Sequence, residues 1–99
     1  MITFTRTASI APGKAREAIA FAHQIAKLVK EKHGATLEIL MPVGGNPYRI
    51  AWRSRYESLA QWETFSTKVN ADADYMATIA ENSATFLPGS VSDEIWRTL

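Results

Sequence analysis

The chain has no cysteine and only two histidines among its 99 residues. The first absence removes disulfides, thiolate nucleophiles and thiolate metal sites together, and it fits a reducing compartment. An excess of one charge is also missing: 11 basic residues face 10 acidic ones, a formal net charge of +1. Domains that hold nucleic acid through its phosphates usually carry a clear basic surplus, so that class is disfavoured. No stretch approaches the roughly 20 apolar residues of a membrane span. The opening MITFTRTASI has neither the basic leader nor the apolar run of a signal peptide. Linkers, low-complexity tracts, repeats and flavin or nucleotide motifs are absent as well. The expectation is one soluble, cytoplasmic domain spanning 1–99, without a cofactor.

What is present is ordinary globular composition, 46% hydrophobic and 21% charged, enough for one real core. Residues 2–10, ITFTRTASI, alternate as a strand does: Ile2, Phe4, Ala8 and Ile10 share one face, and Thr3, Thr5, Thr7 and Ser9 the other. Pro12-Gly13 ends it. From Lys14 to His33 the period becomes helical, with Ala18, Ile19, Ala22, Ile25, Ala26 and Val29 in one stripe. Lys27, Lys30 and Lys32 crowd its far end, where cations suit the helix dipole, and Gly34 supplies a left-handed stop.

Residues 35–43 and 48–56 read as two strands of a hairpin around GGNP. Parity fixes their register: Ile39 faces Trp52 on one side, and Glu38 faces Arg53 and Leu40 faces Ala51 on the other. Apolar then meets apolar and opposite charges meet, whereas a slip of one residue destroys both matches. Ser58 followed by Gln61 is a capping box, opening a helix with Leu59, Trp62, Phe65, Ser66 and Val69 on one face. Asn70-Ala71-Asp72 marks a break and a new N-cap. The next helix places Tyr75, Met76, Ile79, Ala80 and Phe86 inward and ends near Pro88-Gly89, before a last strand at 91–97. The order β-α-β-β-α-β predicts an α+β, ferredoxin-like sandwich: a four-stranded antiparallel sheet, strands one and three central, helices on one face.

The other face would hold threonines, Glu38, Leu40, Arg49, Ala51, Arg53, Arg55 and Trp96. It is either a solvated surface, as antiparallel sheets commonly have, or the meeting surface of two sheets in a homodimer, with Glu38, Leu40, Arg53 and Trp96 at the contact. The element order, together with RYESLAQWETF, an Asp-containing break and YMATIAENSATFLPGSVSDEIW, resembles the dimeric α+β barrel superfamily. Within it, the chain is most similar to the small NIPSNAP-like and antibiotic-biosynthesis-monooxygenase-like proteins. The resemblance implies a homodimer and a ligand pocket between sheet and helices. It also implies a range of activities, from cofactor-independent oxygenases and haem-degrading enzymes to regulators. The haem degraders' asparagine on the first strand has no counterpart, and the position ten beyond Trp62, where they carry histidine, is Asp72. That disfavours haem chemistry.

Candidate site residues follow from placement. Arg6 falls on the apolar face of a central strand, where an unpaired guanidinium is costly. It is expected to meet a helix residue such as Glu63, or to anchor a substrate carboxylate or enolate. Trp52, Trp62 and Tyr75 can line one cavity with it, or can simply be core. His23 lies beside the apolar stripe, as a surface residue or as an acid-base group at a pocket mouth. His23 and His33, ten residues and so about 15 Å apart along one helix, cannot share a metal, and no metal site is expected. An RNA-recognition reading fails because 48–56 lacks the glycine-aromatic pattern and Tyr48, Trp52 and Tyr56 share the helix-facing side. Two functions stay open: a cofactor-independent monooxygenase-like enzyme acting on a small apolar or aromatic ligand, and a non-enzymatic dimeric ligand-binding, structural or regulatory domain.

Overall fold

In the computed structural model, which describes Met1–Leu99, the alternating first segment forms strand β1, Ile2–Ser9. Helix α1, Ala15–His33, follows and stops at Gly34, whose φ of 72° lets its N–H reach the Lys30 carbonyl. The hairpin pairs a short β2, Glu38–Leu40, with β3, Arg49–Tyr56. Helices α2, Leu59–Asn70, and α3, Ala73–Glu81, precede a 3-10 turn at Ser83–Thr85 and strand β4, Ser92–Arg97. The sheet is antiparallel throughout, in the order β2-β3-β1-β4, so strands one and three are central as expected. No helix is long and apolar enough to cross a membrane.

Register follows the parity reading: Glu38 opposes Arg53, Ile39 opposes Trp52 and Leu40 opposes Ala51. The strand before the hairpin is much shorter than 35–43, however. Pro42 has no N–H to give the ladder, and residues 41–48 run as a loop, leaving Met41 45% and Tyr48 65% exposed. Neither joins the helix-facing wall.

The core lies between the inner face of the sheet and the helices. It joins Ala8, Ile10, Ile50 and Trp52 to Ala18, Phe21, Ala22, Ile25 and Val29 of α1, and to Val69 and Tyr75. Phe21, three residues after Ala18 and four before Ile25, occupies the stripe position expected of Ile19, which faces solvent. Ser58 caps α2 by accepting from the Gln61 N–H at 3.1 Å, and Gln61 Oε1 accepts the Glu57 N–H at 2.7 Å. The return bond thus lands one residue earlier than in the usual capping box. Of α2's apolar face only Val69 is buried. The last helix is also shorter than expected: it ends at Glu81, Met76 is exposed, and Phe86 instead bridges Ile10.

Asp72 ties the helix layer together. Its carboxylate caps α3 by accepting from the N–H groups of Asp74 and Tyr75, and it also accepts from Lys32 Nζ and His33 Nε2, each at 2.8 Å. The Lys32 and His33 contacts, aided by the capping N–H groups, hold this carboxyl far below its ordinary range against the opposing effect of burial. One side chain thereby clasps the end of α1 to the start of α3.

Candidate functional site

A cavity of about 320 Å³ opens between the inner face of the sheet and the helices. Thirteen of its nineteen lining residues are hydrophobic, so burial of apolar ligand surface would dominate whatever it holds. An aromatic cluster builds one wall. Phe21, Trp52 and Phe86 meet edge to face, with centroids 5.5–6.1 Å apart, a favoured arrangement of ring quadrupoles. The 87–91 loop forms the rim, where Leu87 and Val91 are exposed.

Arg6 is the only charged residue in that lining. Its partner is Asp93, directly opposite on β4, and not Glu63. Nε donates to Oδ1 at 2.7 Å and Nη2 to Oδ2 at 2.9 Å, a two-point fork. This bond is the main cause of the guanidinium's raised pKa, with burial opposing and Tyr75 adding a smaller contribution. The Phe4 ring lies 5.7 Å from the guanidinium carbon.

Arg6, Trp52 and Tyr75 are thus brought together along one cavity. Trp62 is not among its lining residues: it leans on Phe4 at 5.7 Å between centroids. His23 is exposed on α1 and is likewise absent from the wall, so it has no place in acid-base chemistry there. On β3, Trp52 Nε1, Ser54 Oγ and Tyr56 Oη are buried without a hydrogen-bond partner. Trp52 and Ser54 belong to the cavity wall. Burial also pushes the Tyr56 phenol above its ordinary pKa. Sequence reasoning missed Phe21 and Asp93, and it placed Phe86 only as an apolar position of the last helix. Helical spacing could have found Phe21, but nothing local marks Asp93 as the partner of Arg6.

The opposite face carries the four residues expected at a dimer contact. Arg53 holds Glu38, with Nη2–Oε2 at 2.7 Å, and Trp96 Nε1 donates to Glu94 at 2.8 Å. Trp96 is 60% exposed and Leu40 half-buried.

Neither a protein-family model nor a curated protein matches the sequence. Solved structures do. A NIPSNAP domain protein from Burkholderia xenovorans superposes with a TM-score of 0.83 at 15% identity, covering 100% of this chain and 95% of that one. An antibiotic biosynthesis monooxygenase candidate from Nitrosomonas europaea gives 0.75 at 14%, covering 100% and 99%. A NIPSNAP family protein of unknown function from Agrobacterium tumefaciens gives 0.82 at 13%, covering 99% and 87%. The chain has the ferredoxin-like fold of the NIPSNAP and antibiotic-biosynthesis-monooxygenase-like proteins. At such identities the likeness speaks for architecture, and the chemistry must be argued from the cavity itself.

Proposed function

We propose that the chain binds a small apolar or aromatic molecule in the cavity between sheet and helices, and that it does so as a homodimer whose two sheets face each other. The cavity carries the reading. Its volume of about 320 Å³ lies at the lower end of the roughly 300–1,000 Å³ typical of small-molecule sites. The mixture of apolar wall and few polar groups is also typical of such sites. The unpartnered Trp52 Nε1 and Ser54 Oγ support it further, since an oxygen on a bound molecule would supply the partner each lacks. The outer face supports the dimer through Leu40 and Trp96, apolar surface set among groups already paired. The same reading puts the protein in the cytoplasm, in keeping with a chain that has no cysteine.

The probe that tests the cavity is N-phenyl-1-naphthylamine, uncharged and fluorescent in apolar surroundings. Saturable binding, one probe per chain, is expected, and it should be lost in Ile79→Trp, which fills the cavity from α3, while the fold is retained. Binding that persists in that variant, or none in the wild type, defeats the proposal. Sedimentation at micromolar concentration checks the dimer independently, and a monomer there removes the barrel.

A second reading, cofactor-independent monooxygenase-like oxidation, is favoured by the presence of Arg6 and the Tyr75 phenol in the lining of one apolar cavity and by the names of some structurally similar proteins. No imidazole or carboxylate lines the wall, so the substrate would have to lose its proton readily and supply its own carbanion. Oxygen uptake with an easily ionised polyphenol, reduced in Tyr75→Phe, would support it; its absence leaves binding alone.

A further inference from the structure

We propose that Asp93 decides the charge class of ligand this cavity accepts: by neutralising Arg6, it admits uncharged molecules and turns carboxylates away. The inference rests on the cavity reading above and narrows it. A lone arginine in an otherwise apolar wall would ordinarily be a carboxylate anchor, because its planar fork matches two carboxylate oxygens. Here that fork is taken. Nε and Nη2 are both committed to Asp93, at 2.7 and 2.9 Å, and no other charged residue lines the cavity.

An incoming carboxylate would have to displace Asp93, which the register sets opposite Arg6 and whose two oxygens the guanidinium already holds. Failing that, it would sit beside Asp93 as a second, like charge and lose its hydration for little return. A neutral molecule meets neither obstacle. The guanidinium retains its Nη1 edge for a carbonyl or hydroxyl oxygen, and the aromatic wall of Phe21, Trp52 and Phe86 takes the rings. The predicted class is therefore an uncharged aromatic molecule bearing one acceptor oxygen. Asp93 itself is a specificity-determining residue that acts through Arg6: it is absent from the cavity wall, and its side chain is 40% exposed on the edge strand.

The test compares 2-naphthol with 2-naphthoate at neutral pH, each displacing N-phenyl-1-naphthylamine from wild type, Asp93→Asn and the double variant Arg6→Gln/Asp93→Asn. Asn keeps the shape of Asp and removes its charge. Wild type should prefer naphthol by about tenfold or more, the scale on which desolvated charge pairs discriminate. Asp93→Asn should bind naphthoate about tenfold more tightly than wild type while changing naphthol by less than about threefold. The double variant should lose the naphthoate gain. Equal binding of the two probes by wild type overturns the proposal. So does an unchanged preference in Asp93→Asn, or a naphthoate gain that survives loss of Arg6. If the naphthylamine binds to none of the three proteins, the cavity reading itself has failed and takes this inference with it.

Discussion

On the inner face of the sheet Arg6 holds Asp93 across the β1–β4 ladder, and on the outer face Arg53 holds Glu38 across the β2–β3 ladder. The two pairs are close in geometry and exposure: 2.7 Å in both, with side chains 38% and 40% exposed in one and 33% and 45% in the other. What differs is the company. The inner pair borders an apolar cavity with no other charge in its lining. The outer pair shares its face with Thr5, directly opposite Arg53 and Glu94, and with the exposed Arg49 and Arg55. An ion pair in a polar field is one charge arrangement among many, whereas the same pair at an apolar cavity sets the charge of the whole site. Stability should barely register either pair; ligand choice should register only the inner one.

The hardest break in this comparison comes from apolar residues. Ile50, 1% exposed on the inner face of β3, is expected to cost about 2–5 kcal/mol when changed to Ala. That is a large part of the roughly 5–15 kcal/mol that holds a domain together. Thr5→Ala on the outer face should stay within about 0.5 kcal/mol. Urea denaturation of the two variants measures the contrast. Similar losses would mean that the outer face is as tightly packed as the core.

Next in size is the clasp that keeps the helices over the inner face. Asp72→Ala removes the α3 cap and the tether to Lys32 and His33 together, and Tm should fall by roughly 4–8 °C. The pH dependence has a definite sign. The folded carboxyl titrates well below its ordinary value of 3.8, chiefly through Lys32 and then His33. Its contribution is therefore complete above the unfolded value and is lost as pH falls through the folded one. Between about pH 5 and about pH 2 the wild type should lose more stability than Asp72→Asn. Equal acid sensitivity would show that the clasp carries no weight.

The two ion pairs also show what was legible beforehand. Glu38–Arg53 could be read because a hairpin joins its strands, and parity about the centre of GGNP sets which residues face each other even though the loop runs over 41–48. Arg6–Asp93 could not, because β1 and β4 are the two ends of the chain and no loop fixes their register. The misplacement of Arg6 with Glu63 came from that gap. Trp62 failed as a wall residue for a different reason. Periodicity says which side of a helix is apolar, yet α2 buries only Val69: its Trp62 leans on Phe4, and Phe65 is the one α2 residue in a cavity otherwise lined by the sheet, Leu37, α1, α3 and the 82–91 segment. Phe86 was assigned to a helix that stops five residues earlier, at Glu81; the bridge to Ile10 that places it is a long-range contact with no local signature.

A smaller effect separates the pairs themselves. Arg6→Met leaves Asp93 free to turn toward water, since both side chains are already more than a third exposed. The cost to stability should be below about 1 kcal/mol, as for other half-exposed pairs. Thermal and urea unfolding check it. A loss several times larger would make the pair structural and would weaken its claim to tune ligand choice.

The smallest effect is expected from Glu38→Gln on the outer face, and it bears on assembly. In a monomer this carboxylate is solvated beside Arg53, Tm should not move measurably, and added salt should make no difference. In a homodimer built on this face the same change leaves Arg53 without its counter-charge inside an interface, where unpaired charge is expensive. The cost would then appear in the dissociation constant, and as a Tm that depends on protein concentration. Sedimentation of Glu38→Gln and Trp96→Ala beside wild type distinguishes the two. If both variants match the wild type in association as well as in Tm, the outer face is a solvated surface and the contrast between the two ion pairs is one of surroundings alone. Weaker association with unchanged chain stability makes the outer pair a contact between copies, and each face of the sheet then has its own use for an arginine held by a carboxylate.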